Sequence, residues 1–223
     1  IDRVPGVGPL SVSVPGAVEG WVDAHERYGS MDFADLLSTG IDYARNGFAV
    51  STRLAQDFDE QGANLNQAGL DLYLPNAAPP PVGSLLRNPE LAGSLEIVAS
   101  EGKAGFYQGS IAQQLSAFIT EQGGYLRQED FATHTSNWVE PLRGDYLDHS
   151  FVVMPPNTQG ITQLALFEMA SSHDLAVMEQ NSADYLHTLI ELKKLAFADR
   201  DRWVADPEIA NVPTQQLLDA DYL

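Results

Sequence analysis

Residues 138–170 read WVEPLRGDYLDHSFVVMPPNTQGITQLALFEMA and decide the fold. Phe151-Val-Val-Met154 is the clearest strand in the chain, because β-branched and aromatic residues at that density suit a pleated, buried surface. A shorter run, Leu142-Arg-Gly-Asp-Tyr146, precedes it, and the three residues 147–149 between them suit a hairpin loop, so the two runs are expected to pair antiparallel. Pro155 and Pro156 stop the ladder, since neither can donate a backbone hydrogen bond. Asn157 and Thr158 then have the side chains of helix N-caps, and Ile161, Leu164, Ala165 and Met169 follow at helical spacing. The unit is strand, sharp polar loop, helix. As plain structure, the loop is a satisfied helix cap. As a site, it presents free backbone N–H groups at a helix start, where anions bind in many α/β proteins.

Working outward, the N-terminal side is helical. Residues 1–14 carry Pro5-Gly-Val-Gly-Pro9 and read as a loop or linker. Pro15 suits the first position of a helix that Gly29 ends, with Ala17, Val18, Trp21, Val22 and His25 as its inner face. His25 on such a face reads as a hydrogen-bonded core histidine before it reads as a ligand. Asp32 caps a second helix with Phe33, Leu36, Leu37 and Ile41 inward and Gly47 at its end, and Ser51 caps a third through Phe58. Residues 61–87 read as an irregular surface loop, because Leu70, Leu72 and Leu74 alternate but Pro75 and Pro79-Pro-Pro81 end any strand. Asn88-Pro89 starts another helix, Ser110–Gln122 makes the next, and Gln128–Ala132 a short turn. On the C-terminal side, Ser182 caps the longest helix, Ala183 to about Val204, and residues 213–218 make a last turn. The charge run Asp199, Arg200, Asp201, Arg202 reads as a solvated face. No repeat and no domain boundary is visible, so residues 1–223 read as one domain.

Composition narrows the function classes. A formal net charge of −19 with three lysines, Lys103, Lys193 and Lys194, repels phosphates and anionic lipid heads, which argues against nucleic-acid and membrane partners. The absence of cysteine excludes disulfides, thiolate catalysis and Cys-ligated zinc. Asp57-x-Asp59-x-Gln61-Gly62 opens like a calcium loop, but Ala68 stands where the bidentate acid is required. Gly102-Lys103 lacks the rest of a phosphate loop, and there is no G-x-S-x-G elbow. His25, His134, His149, His173 and His187 do not fall at metal-ligand spacing. No self-sufficient catalytic constellation is readable, and no metal or cofactor is expected.

A series of short motifs then carries a resemblance. Val14-Pro-Gly16, Tyr28-Gly29, Ala44-Arg-Asn-Gly-Phe48, Phe106-Tyr-Gln-Gly109, Gly123-Gly124 with Glu129-Asp-Phe131, Glu140-Pro-Leu142, Met154-Pro-Pro-Asn-Thr-Gln-Gly160 and Phe197-Ala-Asp-Arg200 occur in that order. No single piece is specific, but the ordered set, spread over residues 12–207, resembles the large subunit of the γ-glutamyltranspeptidases, which are N-terminal-nucleophile (Ntn) hydrolases. The resemblance implies an α/β class, the mostly helical portion of an αββα sandwich, with a short hairpin around residues 142–154. It implies a precursor that cleaves itself, and a nucleophilic threonine whose own α-amine is the base. That threonine opens the small subunit and is expected beyond Leu223; the arginine that grips the substrate carboxylate is expected before Ile1. No catalytic residue is therefore assigned in this chain: Thr133 and Thr158 are internal and lack a free amine. Asn157, Thr158, Gln159 and Gly160 are the substrate-proximal candidates, as wall and backbone donors. The implied partners are the small subunit of the same precursor and a small γ-glutamyl or other amide substrate, with oligomers through exposed apolar surface; a periplasmic or extracellular location is implied by the resemblance alone. Glutathione-processing members carry Pro-Pro-Ser-Ser-Gly-Gly-like text where this chain has Pro155–Ile161, so Gln159 and Ile161 turn the resemblance toward the amidohydrolase-like branch. A non-catalytic helical interaction module on the same scaffold is the reading from another class.

Overall fold

The computed structural model describes residues 4–223, which form two compact units divided between Ser136 and Asn137. The division falls in a stretch without helix or strand, where Ser136 is half-buried and Asn137 exposed.

The first unit is built from α1 (Ala17–Tyr28), α2 (Phe33–Asn46), β1 (Phe48–Ala49), α3 (Thr52–Gln61), α4 (Gln67–Tyr73), β2 (Leu85–Leu86), α5 (Pro89–Tyr107), α6 (Ser110–Glu121) and α7 (Gln128–Ala132). The expected caps hold where a short acceptor precedes an apolar period: Asp32, Ser51 and Asn88 each accept a backbone N–H of the first turn. The core joins Val18, Val98, Tyr107, Ile111, Ala112 and Phe131, so α1, α5, α6 and α7 share one interior. Three expectations are corrected. Pro15 lies two residues ahead of α1, whose N-cap is Gly16. The buried face of α1 is Val18, Glu19 and Val22, while Trp21 is exposed. Residues 67–73, expected in a loop, are the helix α4, because Asn66 accepts from Gly69 N at 2.9 Å and Tyr73 stacks on Phe58. The leucines that alternate in sequence thus meet a helix nucleated by a cap. The unexpected pair β1–β2 is antiparallel, with Phe48 opposite Leu86. Within α5, Gly102 takes φ 58°, ψ −137°, which breaks the helix at a position that only glycine tolerates easily.

The second unit holds β3 (Leu142–Tyr146), β4 (His149–Val153), α8 (Gly160–Ser171), α9 (Ala183–Trp203) and α10 (Thr214–Leu217). β3 and β4 are an antiparallel hairpin, as expected, with Leu142 opposite Val153 and Tyr146 opposite His149. The connection is Leu147-Asp148, two residues rather than three, with Leu147 at φ 53°. A two-residue turn matches the twist of the strands, which is why pairing extends to His149. One face of the hairpin packs on α8: Phe151 and Phe167 rings lie 4.4 Å apart and Tyr146 stacks on Phe167 at 5.3 Å. The other face leaves Val152 exposed, with Met154 just beyond the strand. Ile161, Leu164, Ala165 and Met169 are all buried, as their spacing requires. Ser182 caps α9 by accepting from Tyr185 N at 3.2 Å, and α9 buries Leu192 and Ala196 against Met169 and Ala170 of α8. Its buried face is narrow, since Leu186 and Leu195 are exposed.

α8 starts so near the end of β4 that a methyl on Gly160 would meet Met154 O at 2.4 Å and the Val153 side chain at 2.7 Å. Backbone cannot yield as a side chain does, so Gly160→Ala is expected to lower stability by roughly 1–3 kcal/mol. At Gly20 of α1 there is nothing within 4 Å of the added methyl. Gly20→Ala is expected to raise stability by roughly 0.5–1 kcal/mol, both variants being read by urea titration. Equal midpoints for the two variants would refute the close approach.

Candidate functional site

The four candidate residues lie together on the connection from β4 to α8. Asn157, Thr158 and Gln159 are exposed, and Gly160 is the first residue of the helix. The capping expectation is corrected here. The N-cap is Gln159, and its side chain makes no capping bond. The Thr158 hydroxyl turns back along the chain toward Met154 O at 3.0 Å and Pro155 O at 2.9 Å. It stands 3.5 Å from Gly160 N, the outer limit of a hydrogen bond. The Pro-Pro turn leaves those two carbonyls without strand partners, and the hydroxyl serves them instead of the helix. The first turn of α8 therefore has only this long bond to Thr158 as a side-chain cap, and its partial positive charge points toward the loop.

Gln159 has a partner the sequence did not suggest. Arg200, on α9, donates from Nη1 to Gln159 Oε1 at 3.2 Å. Its guanidinium lies 4.2 Å from the centroid of Phe197 and pairs with Asp201 at 2.5 Å. Asp199 accepts from the Tyr222 hydroxyl at 2.9 Å, which holds that phenol's pKa above its ordinary value. The run read as a solvated face thus ties the last helix turn to the start of α8 and to the end of the chain. Only the F-A-D-R motif signalled this.

Thr162, in the first turn of α8, was also missed. It is 8% exposed, and its hydroxyl is buried without a hydrogen-bond partner. With Gln159, Gln163, Leu166, Ala196 and Phe197 it lines a cleft of about 230 Å³. A larger cavity of about 720 Å³ lies between Trp203, Asn211, Pro213 and Tyr222, beside Asp219 and Asp221.

A second polar centre lies in the first unit. Glu19, buried on α1, is 3.6 Å from Lys103 Nζ and 3.2 Å from His134 Nε2, the latter off the line of a hydrogen bond. Lys103 also binds Asp23. The Tyr107 hydroxyl donates to Pro15 O at 2.6 Å and accepts from Glu19 N at 3.1 Å, while its ring stacks on His134. This cluster closes on itself and holds α1 to α5. The bond to Asp23 raises the Lys103 pKa above 10.5, and burial raises the Tyr107 phenol above 10.0.

Among the described residues no hydroxyl is set up as a nucleophile. Ser172 Oγ is 2.9 Å from His173 Nδ1 but also 2.7 Å from Met169 O, where its proton goes as a helix-end bond. Among the described residues no group of three His, Asp or Glu is placed to hold a metal ion. What the β4–α8 connection offers is backbone donors, a helix start and Arg200.

The sequence profile described as Gamma-glutamyltranspeptidase matches residues 2–223. The chain belongs to the γ-glutamyltranspeptidase family. It is 33% identical over 214 residues to the glutathione hydrolase-like YwrD proenzyme of Bacillus subtilis, covering 95% of this chain and 41% of that protein. It is 32% identical over 224 residues to the acylase ACY 1 proenzyme of Pseudomonas sp. (strain V22), covering 99% of this chain and 40% of that one. The γ-glutamyltranspeptidase of Helicobacter pylori superposes with a TM-score of 0.91 at 25% identity, over all of this chain and 65% of that one. This family of Ntn hydrolases has the helix-rich architecture with short antiparallel strand pairs described above. The chain spans about two fifths of the length of these curated relatives.

The raised pKa values of Lys103, Tyr107 and Tyr222 have one sign. The unfolded chain releases these protons at lower pH than the folded one, so their contribution is complete below about pH 10 and is lost as pH rises through the folded values. The urea midpoint is expected to fall as pH rises above about 10, and Lys103→Met to flatten that fall while lowering the midpoint at neutral pH, where Glu19 and Asp23 lose their cation. An unchanged alkaline slope in Lys103→Met would refute the assignment.

Proposed function

We propose that residues 1–223 are an incomplete large-subunit segment of a γ-glutamyltranspeptidase-like enzyme that cleaves or transfers γ-glutamyl or related small amide groups through a threonine acyl-enzyme. The observation that carries this reading is the family match across residues 2–223, with relatives that are proenzymes more than twice as long. In such an enzyme the amide carbonyl is attacked by the threonine hydroxyl, whose proton passes to the α-amine of the same residue, and the amine leaving group takes that proton as it departs. Water or a second amine then releases the acyl group. The nucleophile comes from the small subunit, beyond Leu223. Asn157, Thr158, Gln159 and Gly160 serve as wall and backbone donors near the substrate, supported by their place together at the start of α8, whose N-cap Gln159 makes no side-chain capping bond.

A second reading within the same family is an acylase with a substrate other than glutathione. The relative from Pseudomonas sp. (strain V22) named as an acylase favours it, as do Gln159 and Ile161 in place of the small residue and glycine.

The test is a full-length precursor assayed for self-cleavage by mass spectrometry and for turnover of a γ-glutamyl anilide and a panel of acyl amides. Cleavage that exposes an N-terminal threonine is expected, and turnover lost on changing that threonine to alanine. Residues 1–223 alone are expected to be inactive. Turnover by that chain, abolished by a substitution within it, would overturn the proposal.

A further inference from the structure

The motif Ala44-Arg-Asn-Gly-Phe48 holds the one Asn-Gly pair of the 223 residues. Such a pair is chemically labile. The backbone nitrogen after an asparagine can attack the side-chain amide, and glycine, with no Cβ, leaves that approach open. Here the turn requires glycine. Gly47 has φ 95°, and a methyl on it would meet Arg87 Cγ at 2.9 Å and Leu86 O at 3.1 Å. Asn46 is exposed, on the last turn of α2.

In the closed turn both reacting groups are held. Gly47 N donates to Tyr43 O at 2.9 Å, which engages the proton that the attack must remove and aims the nitrogen along the helix. Asn46 Nδ2 donates to Asp42 Oδ1 at 2.6 Å, which turns the side-chain amide back along α2. Around the turn, Asn88 N donates to Ala44 O at 2.7 Å, Arg45 pairs with Glu96 at 2.5 Å, and Phe48 lies opposite Leu86. The two bonds that hold the reacting groups belong to an exposed helix end, where local opening costs least.

We propose that Asn46 is a gated modification site, which converts to aspartate and isoaspartate when the last turn of α2 opens. The Gly47 nitrogen gives its proton to water and bonds to Asn46 Cγ; the Cγ–Nδ2 bond breaks, and ammonia leaves with a proton taken from water. Water then opens either side of the succinimide ring, leaving aspartate or, where the main chain now passes through the side-chain carbon, isoaspartate. The product does not restore the turn. A carboxylate at position 46 stands one turn from Asp42, at the negative end of the helix. Arg45, the base of that turn, is already paired with Glu96. Isoaspartate also lengthens the main chain by one atom ahead of β1, against the Phe48–Leu86 register. The site thus keeps a permanent record that α2 has opened.

This modification is independent of the amide-cleaving reading and is tested without turnover. The full-length protein is held in mildly alkaline buffer, with and without denaturing urea, and its peptides are mapped by mass spectrometry. In urea Asn46 is expected to convert ahead of the other asparagines of residues 1–223. In native buffer it is expected to convert more than about tenfold more slowly, because both hydrogen bonds must open first. Tyr43, exposed, lies in the same turn. Tyr43→Gly and Tyr43→Ala both lose the ring but differ in helix propensity, so the glycine variant is expected to convert about fivefold faster in native buffer and at the same rate in urea. Asn46→Asp, which carries the side chain of the aspartate product, is expected to lower the urea midpoint, and Asp42→Asn to restore part of that loss. No conversion in urea, equal rates in native buffer and urea, equal native rates for the two Tyr43 variants, or an unchanged midpoint in Asn46→Asp would each overturn the proposal.

Discussion

The second unit depends on how closely a helix is allowed to lie on a hairpin. At Gly160 the start of α8 nearly touches the backbone at the end of β4. At Gly144 a methyl would stand 3.0 Å from the Leu164 side chain, so β3 too makes room for the helix. Two absent methyl groups let α8 lie flat on both strands, and Phe167 then reaches Tyr146 and Phe151 together. Burial of those rings is what makes a two-stranded sheet worth forming, since an isolated hairpin is marginal in water. The seating of α8 also fixes which turn of α9 it meets, and with it the pairing of Gln159 with Arg200. Everything placed at the start of α8 is placed by that contact.

Much of this was legible because it is local. Asp32, Ser51, Asn88 and Ser182 cap the helices they precede, and residues 128–132 form the short helix their composition suggested. The hairpin followed from β-branched residues, and the face of α8 from its spacing. The errors share a cause, which is competition for a side chain that the sequence alone does not arbitrate. Thr158 could cap α8 or serve the carbonyls behind the Pro-Pro turn, and it does the latter. Leu70, Leu72 and Leu74 suited a strand by period, but Asn66 capped a helix first.

The polar contacts that matter most were illegible for a different reason. Glu19 lies on the buried face of α1 because Lys103 and His134 lie beside it, and those partners are over eighty residues away in sequence. Arg200 meets Gln159 across 41 positions. A single sequence carries no sign of such pairings. Thr162 is plainer still: a threonine among Ile161, Leu164 and Ala165 reads as a small helix residue, and only its burial makes its hydroxyl conspicuous.

The break at Gly102 has a bearing on how the first unit assembles. It leaves residues 103–107 as a helical stub of barely more than one turn, far below the length at which a helix holds itself together. The stub persists because Tyr107 at its end spans 92 positions to Pro15 and 88 to Glu19. Closing so long a loop carries an entropic cost that grows with its length, and no local hydrogen bond offsets it in advance. The capped helices are therefore suited to early formation, whereas the stub and the N-terminal helix wait for one another. A chain emerging from the ribosome must release all of residues 15–107 before this junction can close, so α1 stays without that anchor until then.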